Sequence, residues 1–331
     1  MGRIAINGMG RIGRAVARIV LESPELELVA VNDIAGIATI AQLLRFDSLH
    51  GTLKETVTHD ETHLIIGGHR VICTAFATPE EAPFETADIV LECTGEHLRA
   101  GLLERFNAPR VLLSSFARDA LPTFVYGFNH TAFDGERLIS GGSCTSNLLA
   151  LIFQALETQW PIADAFVTSI HSYTADQNLL DVKGKSELRR TRSATQNILP
   201  VTTGAATNLV RLMPHFEGKI AGQGVRVPTA DVSLMEIGVT FETAVTKEAL
   251  NGFLEAKSRK ELEGIIAIDS HYRVSTDFIG SRYAGIIAQD LTEVVSEHQA
   301  RLFIWHDNEW GYAAMLVELA KYILQKEGKC S

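Results

Sequence analysis

The first apolar positions of the chain run without a break and then switch to a helical period. Arg3-Ile4-Ala5-Ile6-Asn7 reads as a short strand leading into Gly8-Met9-Gly10-Arg11-Ile12-Gly13. From Arg11 to Glu22, the residues Ile12, Ala15, Val16, Ile19 and Val20 fall on one face of a helix. A second apolar strand, Leu26 to Asn32, ends in Asp33. Further strand patterns lie at Ile89–Cys93, Arg110–Ser114 and Thr123–Gly127. Another, Arg137 to Ser140, is followed by helical spacing of Leu148, Leu149, Ile152, Ala155 and Leu156. Beyond this the pattern changes. A strand from Ala165 to Ile170 ends in His171, and a polar, basic loop then extends to about Pro200. Strand patterns at 225–227, 231–241 and 302–306 alternate strongly, which suits a sheet more antiparallel than the first. Gly311 to Gln325 reads as a closing helix.

These elements predict an α/β chain of two domains, spanning 1–146 and 147–310, with a helix over 311–326. The first has a Rossmann-type doubly wound parallel sheet. The second is an α+β domain with a mostly antiparallel sheet. A length of 331 residues gives each domain enough chain to bury its own core. A formal net charge of −10 argues against general nucleic-acid binding. No apolar run approaches the ~20 residues that span a bilayer. The strand pattern begins at once, leaving no room for a signal peptide, and Ile6 breaks a myristoylation pattern. Cys73, Cys93, Cys144 and Cys330 show neither paired nor metal-ligand spacing, so reduced thiols, a cytoplasmic location and no metal are expected.

Strand, GxGxxG, helix, strand and acid together form a dinucleotide fingerprint. Gly8, Gly10 and Gly13, with Arg11 and Ile12 opening the helix, allow a tight turn and close approach of a pyrophosphate to a helix N-terminus. Asp33 is suited to accept hydrogen bonds from ribose hydroxyls, which favours NAD and leaves NADP as the weaker cofactor. Thr94, Gly95, Ser114 and Ser115 follow strand ends, where ligands of parallel sheets bind. In Gly141-Gly142-Ser143-Cys144-Thr145-Ser146-Asn147, Ser143 is a good N-cap, placing Cys144 in a first helical turn that favours thiolate. A small buried cysteine and a structural histidine are the plain alternatives. Cys144 and His171 beside a dinucleotide site suit oxidation of an aldehyde through a thioester.

Longer motifs carry a resemblance. Ala5 to Arg14, Val31-Asn32-Asp33, Asp47 to Gly51, Ser143 to Asn147, His171-Ser172-Tyr173-Thr174, Thr203-Gly204-Ala205-Ala206, Arg226-Val227-Pro228-Thr229 and Asp307 to Tyr312 occur in order. Over essentially its whole length the chain resembles phosphorylating glyceraldehyde-3-phosphate dehydrogenases. The resemblance implies Cys144 as nucleophile and His171 as general base. It also implies one anion site from Ser143, Thr145, Thr203 and Gly204, and another from Thr174 and Arg226 with Arg192 nearby. Asn308 would hold the nicotinamide carboxamide. The substrate would be a phosphorylated aldose, with inorganic phosphate as the acyl acceptor. A homotetramer is implied, its basic loop 178–200, including Lys183 and Lys185, reaching toward a neighbouring subunit's cofactor and its last helix packing back on the first domain.

Some positions depart from the usual pattern. Gly141-Gly142 stands for Asn-Ala, which would loosen the backbone, Ser146 for threonine, Thr207 for lysine and Ala77 for an arginine near the adenine. Erythrose-4-phosphate dehydrogenase shares most motifs, but Thr174 and the Thr203 to Ala206 run favour the glyceraldehyde type. A catalytically weakened cofactor-binding regulator is motivated by the departures and opposed by Cys144, His171 and Arg226. Aspartate-semialdehyde dehydrogenase lacks the motifs beyond residue 171.

Overall fold

Strand Gly2–Asn7 is buried at every position but Arg3, and parallel neighbours flank it on both sides. The sheet around it runs in the order Leu138–Ser140, Val111–Leu113, Ile89–Glu92, Gly2–Asn7, Leu26–Asn32, His69–Thr74, His63–Ile66 and Val57–His59. All pairs are parallel up to His69–Thr74, and the last two are antiparallel. The chain winds outward in opposite directions from Gly2–Asn7, so a crevice opens at the carboxyl ends of the central strands. Residues 1–175, 177–183 and 187–330 are described by this computed structural model. They form two compact units, Met1–Ser143 with Ala313–Ser331, and Cys144–Tyr312. Lys185 of the basic loop lies outside the described residues.

In the first unit, helix Arg11–Leu21 buries Ala15, Val16, Ile19 and Val20. Arg18 on the same helix is also buried, yet satisfied, because its guanidinium donates to the carbonyls of Leu44, His50 and Gly51. A second cluster packs Val90, Leu103 and Val111 around the stacked rings of Phe84 and Phe106. Each such side chain contributes about 1.5–3 kcal/mol by leaving water. The strand expected over Thr123–Gly127 does not form, and only a single bridge from Thr123 to Ser140 is made. The Asn129 side chain accepts from the Val125 N–H and donates to the Thr123 carbonyl, taking groups a ladder would need. Gly127 has a φ of 83°, which turns the chain away.

The second unit is built on a sheet ordered Leu199–Val201, Ile220–Val227, Ile162–Ser172, Ser233–Phe241, Gln299–His306, Gly285–Ala288 and Ile266–Asp269, with Glu293–Ser296 also paired to Gln299–His306. Its pairs are antiparallel except Ile162–Ser172 with Ile220–Val227, and Ile266–Asp269 with Gly285–Ala288. Ser233–Phe241 alternates buried and half-buried residues throughout. Helix Cys144–Glu157 is buried from Thr145 to Phe153, a core helix rather than a surface one. Strand Ile220–Val227 is longer than its apolar pattern at 225–227. Gly222 and Gly224 hide the alternation, and they are needed because a Cβ at either would sit 3.2 Å from Ala206 or Val201.

Candidate active site

At the carboxyl end of the first sheet lies a cavity of about 490 Å³, a size suited to a cofactor. It is lined by Gly8, Gly10, Asp33 and Thr94 from the expected set, joined by Asn7, Asn32, Ile34, Phe76, Ala77, Cys93, Glu96 and His97. The glycines differ in purpose. Gly8 has a φ of 91°, and a Cβ there would meet the Thr94 N–H at 2.7 Å. A Cβ at Gly13 would lie 1.9 Å from the Gly8 carbonyl oxygen, so Gly13 lets helix and strand approach. Gly10 has open space around it, which leaves room for a ligand's phosphates at the N-terminus of helix Arg11–Leu21. Asp33 accepts from the Met9 N–H at 2.6 Å and the Ala35 N–H at 2.8 Å, so its carboxylate is fixed beside the glycine turn. These features fit a dinucleotide.

Arg11, Ile12, Gly13, Gly95 and Ser114 lie around this cavity's elements rather than on its lining. Arg11 turns its guanidinium to Asp47, which also accepts from the N–H groups of Leu49 and His50. Burial opposes charge on Asp47, but these hydrogen bonds outweigh it and hold the carboxyl well below its usual range. Beneath the cavity, the buried Glu92 accepts from Asn7 Nδ2 and from the Thr94 N–H and hydroxyl, and it faces His97 Nδ1 at 3.4 Å. Asn7 in turn accepts from Asn32, whose side chain also grips the backbone of Phe76. Single polar residues at strand ends gave no sequence signal for this network.

In the second unit, Cys144 is the first residue of its buried helix, as expected, and its Sγ lies 3.9 Å from His171 Nε2. His171 sits inside strand Ile162–Ser172, one residue before its end, and pairs in register with Arg226 on the neighbouring strand. Adjacent parallel positions share a face, which brings the arginine to the imidazole. Arg226 Nη1 donates to the Ser172 carbonyl at 2.9 Å and touches His171 Nδ1. Nδ1 also faces the Ser172 carbonyl at 2.7 Å, and these contacts hold the ring with Nε2 turned to the sulfur.

Opposing effects meet at the sulfur. Dense packing around the sulfur pushes the Cys144 thiol up to about 11, against the pull of Arg226 and of the Thr145 N–H. Burial, then Arg226 and His306, hold His171 well below its ordinary value. Desolvation thus opposes the thiolate that the helix N-terminus and Arg226 favour.

Asn308 Oδ1 accepts from the hydroxyls of Ser172 at 2.9 Å and Ser233 at 2.7 Å, so its amide nitrogen is left as the outward donor. Thr174 lies past the strand that carries His171, its N–H bonded to Gln177 Oε1. Thr203 and Gly204 precede helix Ala205–Leu212, and the Thr203 hydroxyl accepts from the Ala205 N–H. Arg192 is exposed and paired with Asp181 at 2.7 Å. Thr145 is the second residue of helix Cys144–Glu157, while Ser143 closes the first unit.

Comparison with known proteins agrees with this geometry. Residues 2–100 match the NAD binding domain, and residues 143–308 the C-terminal domain, of glyceraldehyde 3-phosphate dehydrogenase. The chain is 37% identical over 97% of its length to the glyceraldehyde-3-phosphate dehydrogenase of Helicobacter pylori, of which 99% is covered. It is 38% identical to that of Geobacillus stearothermophilus, covering 98% of both chains. It is 36% identical to glyceraldehyde-3-phosphate dehydrogenase 1 of Bacillus cereus, over 98% of this chain and 99% of that one. The chain belongs to the glyceraldehyde-3-phosphate dehydrogenase family.

Within that family its double glycine has a local cause. A Cβ at Gly141 would lie 2.2 Å from Leu316 Cδ2, and Gly142 has a φ of 70°. Gly141 donates to the Leu113 carbonyl and Gly142 to the Ser140 hydroxyl, so the turn is held rather than loosened. Thr207 is exposed on its helix, and Ala77 is exposed on the cavity lining. His306 was missed by sequence reasoning. It is buried without a hydrogen-bond partner on either ring nitrogen, its ring centre 6.0 Å from that of His171. Burial lowers it to about 4, so it is neutral. No helix among the described residues is long and apolar enough to cross a membrane.

Proposed function

We propose that this chain oxidises D-glyceraldehyde 3-phosphate to 1,3-bisphosphoglycerate with NAD and inorganic phosphate, the glycolytic reaction, by acylating Cys144. The observation that carries the reading is the Cys144 sulfur facing Nε2 of His171, with Arg226 against the far side of that ring. The sulfur attacks the aldehyde carbon as its proton passes to His171 Nε2. The Cys144 N–H and the His171 ring then stabilise the oxygen on which charge develops. NAD, when bound, would supply the two-electron acceptor needed to oxidise the adduct to a thioester. Phosphate oxygen attacks the acyl carbon, the C–S bond breaks, and the thiol regains a proton from His171.

Gly8, Gly10 and Asp33 would hold the cofactor's pyrophosphate and ribose, and the Asn308 amide its carboxamide. Ser143, Thr145, Thr203 and Gly204 would take one phosphate, and Thr174 and Arg226 the other, with Arg192 nearby. Two anion sites suit the chemistry, because the substrate's phosphate and the attacking phosphate are different groups. The two compact units are read as cofactor and catalytic domains. The alternative substrate erythrose 4-phosphate is not favoured, since the relatives named above are glyceraldehyde-3-phosphate dehydrogenases. A homotetramer and a cytoplasmic location complete the proposal, the latter supported by cysteines that form no disulfide. NADH formation by the purified protein with each phosphorylated aldehyde, with and without phosphate or arsenate, tests the reaction. Full steady-state turnover without either acceptor would make the enzyme hydrolytic, and light scattering on the eluted protein tests the tetramer.

A further inference from the structure

The cofactor cavity carries two carboxylates on its lining, Asp33 and Glu96, and a third, Glu92, buried beneath it. Among the described residues its lining includes no lysine or arginine. His97 alone in that lining can carry a positive charge. Its Nδ1 lies 3.4 Å from Glu92 Oε2 and 3.3 Å from the Thr94 hydroxyl, and its ring stands edge-on to Phe106 at 5.5 Å. Glu92 is held in place by Asn7 on Oε2 and by Thr94 on Oε1. The imidazole is thus fixed between a buried anion and the space a dinucleotide fills.

We propose that His97 is a cofactor-binding residue whose imidazolium, anchored on Glu92, is the cation of this cavity and ties dinucleotide affinity to pH. The inference rests on reading the cavity as the NAD site. Hydrogen bonding and charge attraction from Glu92, and attraction from Glu96, raise the affinity of His97 for its proton. Burial and Arg105 oppose this, though Arg105 is itself neutralised by Glu80. While His97 is protonated, the charge of the buried Glu92 is offset. When it deprotonates, an anionic pyrophosphate faces uncompensated negative charge. An extra 2′-phosphate is more strongly affected, so His97 also sets how far NADP is rejected.

The test is calorimetric titration of NAD and NADP into the wild type and His97→Gln, which keeps a polar group facing Glu92 without titrating. Between about pH 5.5 and 8.5, the wild-type Kd for NAD should rise about 3- to 10-fold, with a steeper rise for NADP. The His97→Gln profile should be nearly flat. A flat wild-type profile, or the same slope in the variant, would overturn the proposal. Should His97→Gln not fold, the wild type alone decides: binding should take up protons near neutral pH, read from heats in buffers of different ionisation enthalpy. Absence of proton uptake would refute the role of His97, whereas absence of NAD binding at every pH would refute the cofactor reading itself.

Discussion

Cys144 Sγ and His171 Nε2 face one another at 3.9 Å, each held in its uncharged form by burial. Removing the sulfur by Cys144→Ala should abolish turnover while NAD binding stays near normal. In the apo protein, alkylation of Cys144 by iodoacetamide should keep accelerating between about pH 7 and 9, because the thiol lies far above that range. A rate already at its plateau below pH 7 would show that the helix N-terminus and Arg226 together overcome desolvation. Cys93 and Cys73, pushed up to about 12 and about 11 without a facing imidazole, should react more slowly.

His171 acts in its neutral form, and Arg226 helps to keep it so. His171→Asn should lose roughly two to four orders of magnitude in kcat while some turnover persists. Arg226→Leu removes a cation that disfavours the imidazolium, so the histidine titrates at higher pH. The acidic limb of the kcat/KM profile should therefore move to higher pH. The same variant should raise KM for the phosphorylated aldehyde, a charged hydrogen bond being worth about 1.5–3 kcal/mol. An acidic limb at its wild-type position would separate Arg226 from His171.

The glycine loop, Asp33, the helix start at Cys144 and the strand carrying His171 were all legible in the sequence. In each of them a local rule and the fold demand the same residues. Less legible was whatever depends on residues far apart. Glu92, Asn7 and Asn32 bond to one another only because three strands are neighbours, and no spacing announces that. The balance at Cys144 was not legible either, because helix position is local whereas desolvation is set by the surrounding fold. Thr123–Gly127 failed as a strand because Asn129 competes for its backbone.

Asn308 is oriented by Ser172 and Ser233, which occupy its oxygen and free its nitrogen. Asn308→Asp keeps an acceptor for both hydroxyls but removes the donor. The variant should fold with a near-native melting temperature and raise KM for NAD about tenfold, the worth of one hydrogen bond near 1.4 kcal/mol. Unchanged KM for NAD would leave the side chain only a structural part.

Asp33 is fixed by two backbone N–H groups, so its charge stays beside the glycine turn. The native enzyme should prefer NAD, and Asp33→Ser should narrow the gap to NADP by removing repulsion of a 2′-phosphate. The exposed Lys183 should soften the preference only weakly, since solvent and salt screen it. The check is kcat/KM for both cofactors in wild type, Asp33→Ser and Lys183→Ala. Native preference for NADP would reverse the ranking of Asp33 and Lys183.

Gly10 and Gly13 belong to one motif but should fail differently when changed to alanine. At Gly13 the new methyl would lie 1.9 Å from the Gly8 carbonyl oxygen, and backbone cannot yield as a flexible side chain can. Helix Arg11–Leu21 must then move off strand Gly2–Asn7, disturbing the packing of Ile6, which also lies within 3.3 Å. The cost should be roughly 3 kcal/mol or more, seen as a lower denaturation midpoint even without cofactor. At Gly10 nothing lies within 4 Å, so the free protein has room for the methyl. The residue is at the N-cap of the same helix with a φ of −68°, which alanine adopts without strain. Gly10→Ala should therefore keep its stability to within about 1 kcal/mol, since alanine is also a poorer N-cap than glycine. Its NAD affinity should fall, because the methyl occupies space the pyrophosphate needs. Measuring the denaturation midpoint and NAD Kd for both variants separates packing from ligand approach. Equal destabilisation of the two apo proteins, or wild-type affinity in Gly10→Ala, would show that this loop does not divide its work in that way.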